Sequence, residues 1–443
     1  MKLFNQDNRT SKIYKNIAAS FFVKGWSALV VLIMVPLTLR CLGAYQNGVW
    51  LTISSLLVWI DQMDIGLGNG LRNRLATHIA HNETSEAQKA ISSTVAMLVC
   101  IVFPIMLIVM LLIWKTDVYS FLNIIPEEIP ELRTALASAV SLVCMTFVLK
   151  FIGNVYMGMQ IPAASNLLLA TGQTIALIAT WLLYINGCAT FFNIVIANTA
   201  APLLTYLAAY PYTFYCRFPK LRPSFSSVNL KTTLALGNIG VKFFWLQIAG
   251  IIQFMTANIL ISKFFSPEMV TPYQIAYRYM SLMLVVFTIV AMPYWNATTD
   301  AYERGDMTWI ESSSHRLNKF LALLFCGFLV MVLISPFVYD AWIGDQCHVP
   351  LGMTILVGLY IYLLILSSKY AYFLNGIGAL RLQLYMTIMT IIFIPAEWVV
   401  TLLTHDINWF IAVMGLCIAP CIVFNMIQFR KIINGTAKGI WRI

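Results

Sequence analysis

Residues 21–39 read Phe-Phe-Val-Lys-Gly-Trp-Ser-Ala-Leu-Val-Val-Leu-Ile-Met-Val-Pro-Leu-Thr-Leu, an apolar run with a single charge, Lys24. A helix rises about 1.5 Å per residue, so a run of about 20 such residues crosses a hydrocarbon core of about 30 Å. Runs of this kind recur along the chain. Spans are expected near 15–39, 46–68, 91–113, 133–156, 163–186 and 190–212, and again near 234–262, 271–293, 318–339, 350–373, 381–404 and 408–428. Of the 443 residues, 60% are hydrophobic and 10% charged, against roughly 25% charged in soluble domains. Mean hydropathy is +0.79. The expected fold class is an all-α polytopic membrane protein. The first run lacks a small-residue cleavage site and reads as a retained span.

The formal net charge of +10 suggests nucleic acid only if position is ignored. With both termini placed in the cytoplasm, 19 of the 28 basic residues fall on the cytoplasmic side, as the Lys/Arg bias of membrane proteins requires. The acidic loop around Glu127, Glu128 and Glu131 falls on the other side. The expected place is therefore a membrane crossed many times, with both termini in the cytoplasm and no nucleic-acid partner. The nine cysteines are scattered and read as small core hydrophobes. No metal or other cofactor is expected. No GxxxxGK[ST] loop or HExxH motif occurs, and no large loop is present to house an enzyme's catalytic groups.

The chain divides into two six-span lobes, 1–216 and 234–443, joined by a basic connector at 217–233 with Arg217, Lys220, Arg222 and Lys231. Asn16-Ile17 and Phe21-Phe22 recur as Asn238-Ile239 and Phe243-Phe244, an offset of 222 residues. An even number of spans per lobe makes the repeat parallel, with its pseudo-twofold axis along the membrane normal.

Ionisable residues at membrane depth carry the functional reading, because each costs several kcal/mol unless it faces a bundle interior or a wet cavity. Lys24 lies nine residues past Lys15, about 14 Å into the membrane by helical rise. Lys242 lies eleven past Lys231, at about 16 Å by the same arithmetic. Arg278 is shallower. All three read as cavity cations for an anionic substrate, with a structural ion pair as the plain alternative. Lys150 and Lys369 sit near the cytoplasmic ends of their spans and read as snorkelling side chains. Asp61 and Asp64 share a helix face ahead of Gly66-Leu-Gly68-Asn69-Gly70-Leu-Arg72-Asn73-Arg74. They read as a carboxylate gate or ion site, or as a clamp closed by Arg72 or Arg74. Glu397 follows Pro395 inside an apolar span; it reads as an ion-coupling site or as the partner of a lysine.

The stretch from Asn16 to Pro36-Leu-Thr, the Leu42-Gly43…Gly48-Val-Trp50 turn, the Asp64-x-Gly66-Leu-Gly68-Asn69-Gly70-Leu-Arg72-Asn73 motif and Ser92-Ser93-Thr94 together resemble the multidrug/oligosaccharidyl-lipid/polysaccharide (MOP) exporter superfamily. The chain is most similar to its O-antigen or capsule repeat-unit flippases (Wzx-type). The motif-level match is confined mainly to residues 16–94. The resemblance implies a MATE-like, V-shaped pair of lobes and a central cationic cavity for an undecaprenyl-pyrophosphate-linked oligosaccharide. Lys24, Lys242 and Arg278 would then hold the pyrophosphate, with Trp26, Trp245, Gln247 and Asn258 against the sugars. Membrane lipid, a polysaccharide polymerase with its chain-length machinery, and a proton or sodium ion are the implied partners. Drug-antiporter relatives usually carry several ion-binding carboxylates in the first lobe, and beyond Asp61 and Asp64 this lobe has none. Proton- or sodium-coupled multidrug export is the alternative reading.

Overall fold

In the computed structural model, residues 3–62, 67–229, 256–379, 381–389 and 393–441 are described. Among them every regular element is helical, and nine helical runs are long and apolar enough to cross a membrane. The chain is a multi-pass membrane protein. It forms two compact units, Met1–Ile248 and Ala249–Ile443.

The first unit begins with α1, Leu3–Gln62, which covers the first expected span and most of the second. A single residue separates them. Gly43 adopts φ 68° and ψ 175°, a conformation open to glycine because it lacks a Cβ, so the chain turns there without a loop. The following glycine-rich motif is itself a helix, α2, Leu67–Ala80. It is succeeded by α3 (Thr84–Lys115), a short α4 (Val118–Leu122), α5 (Leu132–Leu149), α6 (Phe151–Gly158), α7 (Pro162–Ile185) and α8 (Phe191–Pro211). Helix α7 packs on both α1 and α8, and α5 packs on α3 and α8. Helices α7 and α8 approach closely at Gly172, where a Cβ would stand 3.1 Å from Pro202 Cα.

The basic connector is strapped to the first unit. Gln88 donates to the Arg222 carbonyl at 2.8 Å, and the Ser92 and Ser93 hydroxyls accept from the backbone N–H groups of Ser224 and Asn229 at 3.0 and 2.9 Å. Arg217 lies over the Tyr156 ring and Arg222 over the Tyr215 ring, each 5.2 Å from the centroid. Connector charges thus rest on aromatic faces, a favourable use of guanidinium.

The second unit is described as α9 (256–264), α10 (Pro267–Met280), α11 (Leu282–Glu303), α12 (Met307–Ile343), α13 (Leu351–Ile377), α14 (Arg381–Met389), α15 (Phe393–Thr404) and α16 (Ile407–Ile433). Helix α13 is its axis, packed against α10, α11, α12 and α16. Small residues allow this: a Cβ on Gly376 would meet the Trp295 carbonyl and Thr298 Cβ of α11, both at 2.8 Å. Helices α10 to α12 run well past the expected spans. Hydropathy marks the lipid-facing part of a helix, whereas Glu311, Ser312 and His315 continue α12 as exposed or polar turns. The expected span at 381–404 comprises α14 and α15, and most of that at 234–262 lies outside the described residues.

Candidate functional site

The second unit buries a carboxyl group in its core. Glu397 on α15 is 0% exposed, and neither of its oxygens has a hydrogen-bond partner among the described residues. Tyr273 on α10 and Tyr360 on α13 are fully buried and lie within electrostatic reach of it. Tyr273 points its hydroxyl at Met414 Sδ, 3.9 Å away, and the Tyr360 hydroxyl is also unpartnered among the described residues. Phenol hydroxyls can both donate and accept. The site is thus a fully buried carboxyl with two buried phenols in electrostatic reach, suited to exchanging a proton or receiving a small cation.

Helix α10 also carries a polar face. Asn258 on α9 is buried and accepts from Gln274 Nε2 at 2.6 Å. Arg278 follows Gln274 by one helical turn, which places both on the same face of α10. Arg278 is half-buried, just ahead of the α10–α11 junction, where the Ser281 hydroxyl donates to the Arg278 carbonyl at 2.9 Å. Two residues expected at a substrate cavity, Asn258 and Arg278, are therefore brought onto neighbouring surfaces of one unit.

In the first unit Lys24 is exposed on α1, and a Cβ on the adjacent Gly25 would meet nothing within 4 Å. Trp26 is 46% exposed, and its indole N–H donates to Thr174 Oγ1 on α7 at 3.0 Å. This fixes the indole while leaving much of its ring uncovered. Arg72 is exposed on α2. Lys242, Trp245, Gln247 and Asp64 lie outside the described residues, as does the side chain of Asp61; the expected gate or clamp is outside them too.

Lys369 corrects the sequence expectation. Its side chain does not snorkel along lipid; it is 1% exposed and donates to Asn318 on α12. Hydropathy located its depth but not its azimuth on α13, a helix apolar on nearly every side. No signal in the sequence paired it with a residue 51 positions away.

No family model matches the sequence, and no curated protein is similar to it. Solved structures are similar. The inward-facing conformation of a multidrug resistance MATE family transporter of the MOP superfamily superposes with a TM-score of 0.79 at 14% identity, covering 93% of this chain and 96% of that one. The chain has the MATE fold. A MATE structure in the straight conformation gives a TM-score of 0.64 at 13% identity, covering 96% of each chain. The outward-facing conformation of a multidrug resistance MATE transporter gives 0.60 at 14% identity, covering 94% and 97%. Coverage of this extent places both units of the chain within the MATE fold.

Proposed function

We propose that the protein is a MOP-superfamily exporter that carries an undecaprenyl-pyrophosphate-linked oligosaccharide repeat unit from the inner to the outer leaflet of a bacterial cytoplasmic membrane. The work would serve O-antigen or capsular polysaccharide synthesis, and the mode is alternating access between the two lobes, 1–216 and 234–443. The observation that carries this reading is the charge inventory of the first unit. Its described buried residues include no Asp or Glu, whereas Lys24 and Trp26 are exposed on α1. A lobe that binds cations needs a buried acid; one that offers a base and an aromatic face suits a sugar pyrophosphate.

In this scheme the prenyl tail stays in lipid and the pyrophosphate is held by Lys24, Lys242 and Arg278 through charge-assisted hydrogen bonds. Trp26, Trp245, Gln247 and Asn258 meet the sugars. An inside-negative potential assists outward movement of an anion by about 2.3 kcal/mol per charge per 100 mV. Polymerase and chain-length proteins would receive the product.

A second reading, proton- or sodium-coupled multidrug export, is favoured by Glu397, the one carboxyl buried among the described residues. Head-group translocation of a fluorescent undecaprenyl-pyrophosphate oligosaccharide in proteoliposomes separates the two. Transfer by the wild type that is lost in a folded Lys24→Ala/Lys242→Ala protein supports the flippase and its cationic site. Transfer retained by the double variant removes the lysines from the scheme, and no transfer by the wild type, beside gradient-driven efflux of a cationic dye, establishes the second reading.

A further inference from the structure

The buried lysine of the second unit faces a cavity that the transport scheme does not use. The cavity has a volume of about 310 Å³ and is formed where the first turns of α12 meet the last turns of α13 and α16. Its lining includes Lys369 from α13, His315, Asn318 and Glu311 from α12, and Arg430 and Asn434 from the end of α16. Lys369 is 1% exposed. Its ammonium donates to Asn318 Oδ1 and lies 4.3 Å from the centroid of the Tyr370 ring. An ammonium has three donors, and these contacts are with a neutral amide and a π-face.

Removing an ammonium from water costs several kcal/mol unless an anion accompanies it. Among the described residues neither Lys369 nor Arg430 is joined to a carboxylate, unlike the cations of the pairs Lys89–Glu86 and Arg304–Asp300. Glu311 lines the cavity from an exposed position on α12 without coming within ion-pair distance of either cation. Against this one acid stand two cations and the His315 imidazole. The balance is positive, and the amides of Asn318 and Asn434 add donors that suit phosphoryl oxygens.

We propose that this cavity is a binding site for a phosphate ester of head-group size, with Lys369 at its floor and Arg430 at its mouth. Its volume is at the small end of ligand pockets, which run from about 300 to 1,000 Å³. It suits a phosphate and a glycerol-sized alcohol rather than an oligosaccharide. The site is built within the second unit and is independent of Lys24 and Lys242, so it stands whether or not the flippase reading does. The same chemistry is offered by the head group of an anionic phospholipid and by a soluble phosphomonoester.

The test uses the full-length protein in detergent, with dioleoylphosphatidylglycerol and sn-glycerol 3-phosphate as separate probes, and dioleoylphosphatidylcholine and glycerol as controls. Bound lipid is counted by native mass spectrometry, and both probes are titrated by thermal melting. Arg430→Gln, at an exposed position, keeps the fold; Lys369→Met replaces the buried cation by a chain of similar length. Losing one hydrogen bond to a charged group, about 1.5–3 kcal/mol, weakens binding roughly 10- to 100-fold, and that loss is expected in each variant. Binding of phosphatidylglycerol alone, lost in Arg430→Gln, assigns the site to lipid; binding of glycerol 3-phosphate, lost in the same variant, assigns it to a soluble ligand. Binding of neither probe above its control, or unchanged binding in Arg430→Gln, overturns the proposal even if Lys369→Met fails to fold.

Discussion

Replacing Glu397 separates what its carboxyl costs from what it does. The side chain is fully buried, and its two oxygens lack partners among the described residues. A buried polar group left unsatisfied costs about 1–3 kcal/mol, and Glu397→Met removes it while nearly conserving length and volume. The variant is therefore expected to be more stable by about 1–3 kcal/mol. The second unit, Ala249–Ile443, is of a size at which 1 kcal/mol moves a melting temperature by about 2–4 °C in soluble domains. A rise of roughly 2–12 °C follows from these figures, read by intrinsic fluorescence on heating in detergent. Glu397→Gln keeps two polar atoms in the same place, so its melting temperature stays within about 2 °C of the wild type. Both variants lose the carboxyl that would exchange a proton or hold sodium. In proteoliposomes with an imposed pH or sodium gradient, each is expected to transport at the rate seen without a gradient. The reasoning fails if Glu397→Met melts below the wild type, since the carboxyl would then be making a stabilising bond. It also fails if either variant keeps the full response to the gradient.

Gly376→Ala is expected to lower stability by about 1–3 kcal/mol through overpacking, because the new methyl would stand 2.8 Å from the Trp295 carbonyl, part of the α11 backbone; thermal melting measures it. Ser93→Ala removes the acceptor for the Asn229 N–H. At about 1 kcal/mol for the bond, trypsin should cut at Arg217 or Lys220 roughly fivefold faster, read by electrophoresis. Asp306 begins α12 by accepting from the Trp309 N–H and the Thr308 hydroxyl at 2.9 and 2.7 Å. These bonds, the Thr308 one foremost, hold its carboxyl below the usual 3.8. Stability from this cap is therefore present above that value and lost as pH falls through the lower folded-state value. Protection of the first turn of α12 against hydrogen exchange, taken relative to the intrinsic rate at each pH, should fall below about pH 4 in the wild type and show no such acid step in Asp306→Asn.

The membrane class was legible because the bilayer imposes a length and an apolarity that few other structures share. Residues 91–113 and 408–428 fall inside α3 and α16 for that reason. Helix ends were not legible in the same way. The polar turns that carry α12 back to Met307 satisfy their backbone internally and give no hydropathic sign that they continue a span. The break at Gly43 was marked by its glycine, yet only φ 68° shows that one residue suffices. Glu397 could be singled out because an acid in an apolar span is costly wherever it points. Lys369 could not, since its role depends on facing Asn318 rather than lipid, and a helix apolar all round conceals its own orientation.

The two charges that are buried among the described residues, Lys369 and Glu397, belong to the same unit, and this bears on how any coupling is divided. The polar residues buried in the described part of the first unit are neutral, and several hydroxyls return to their own helix backbone, as Thr94 does to the Ala90 carbonyl at 2.8 Å and Thr199 to that of Val195 at 2.8 Å. Such bonds are satisfied within one helix and do not depend on the state of a proton or an ion. The second unit instead keeps a carboxyl and an ammonium whose partners among the described residues are absent or neutral. Each can gain substantially from a ligand of opposite charge, because burial has already desolvated it. A ligand moves a conformational equilibrium only by its differential affinity for the two states. Within the described residues, groups with that capacity lie in α13 and α15 rather than in the first unit.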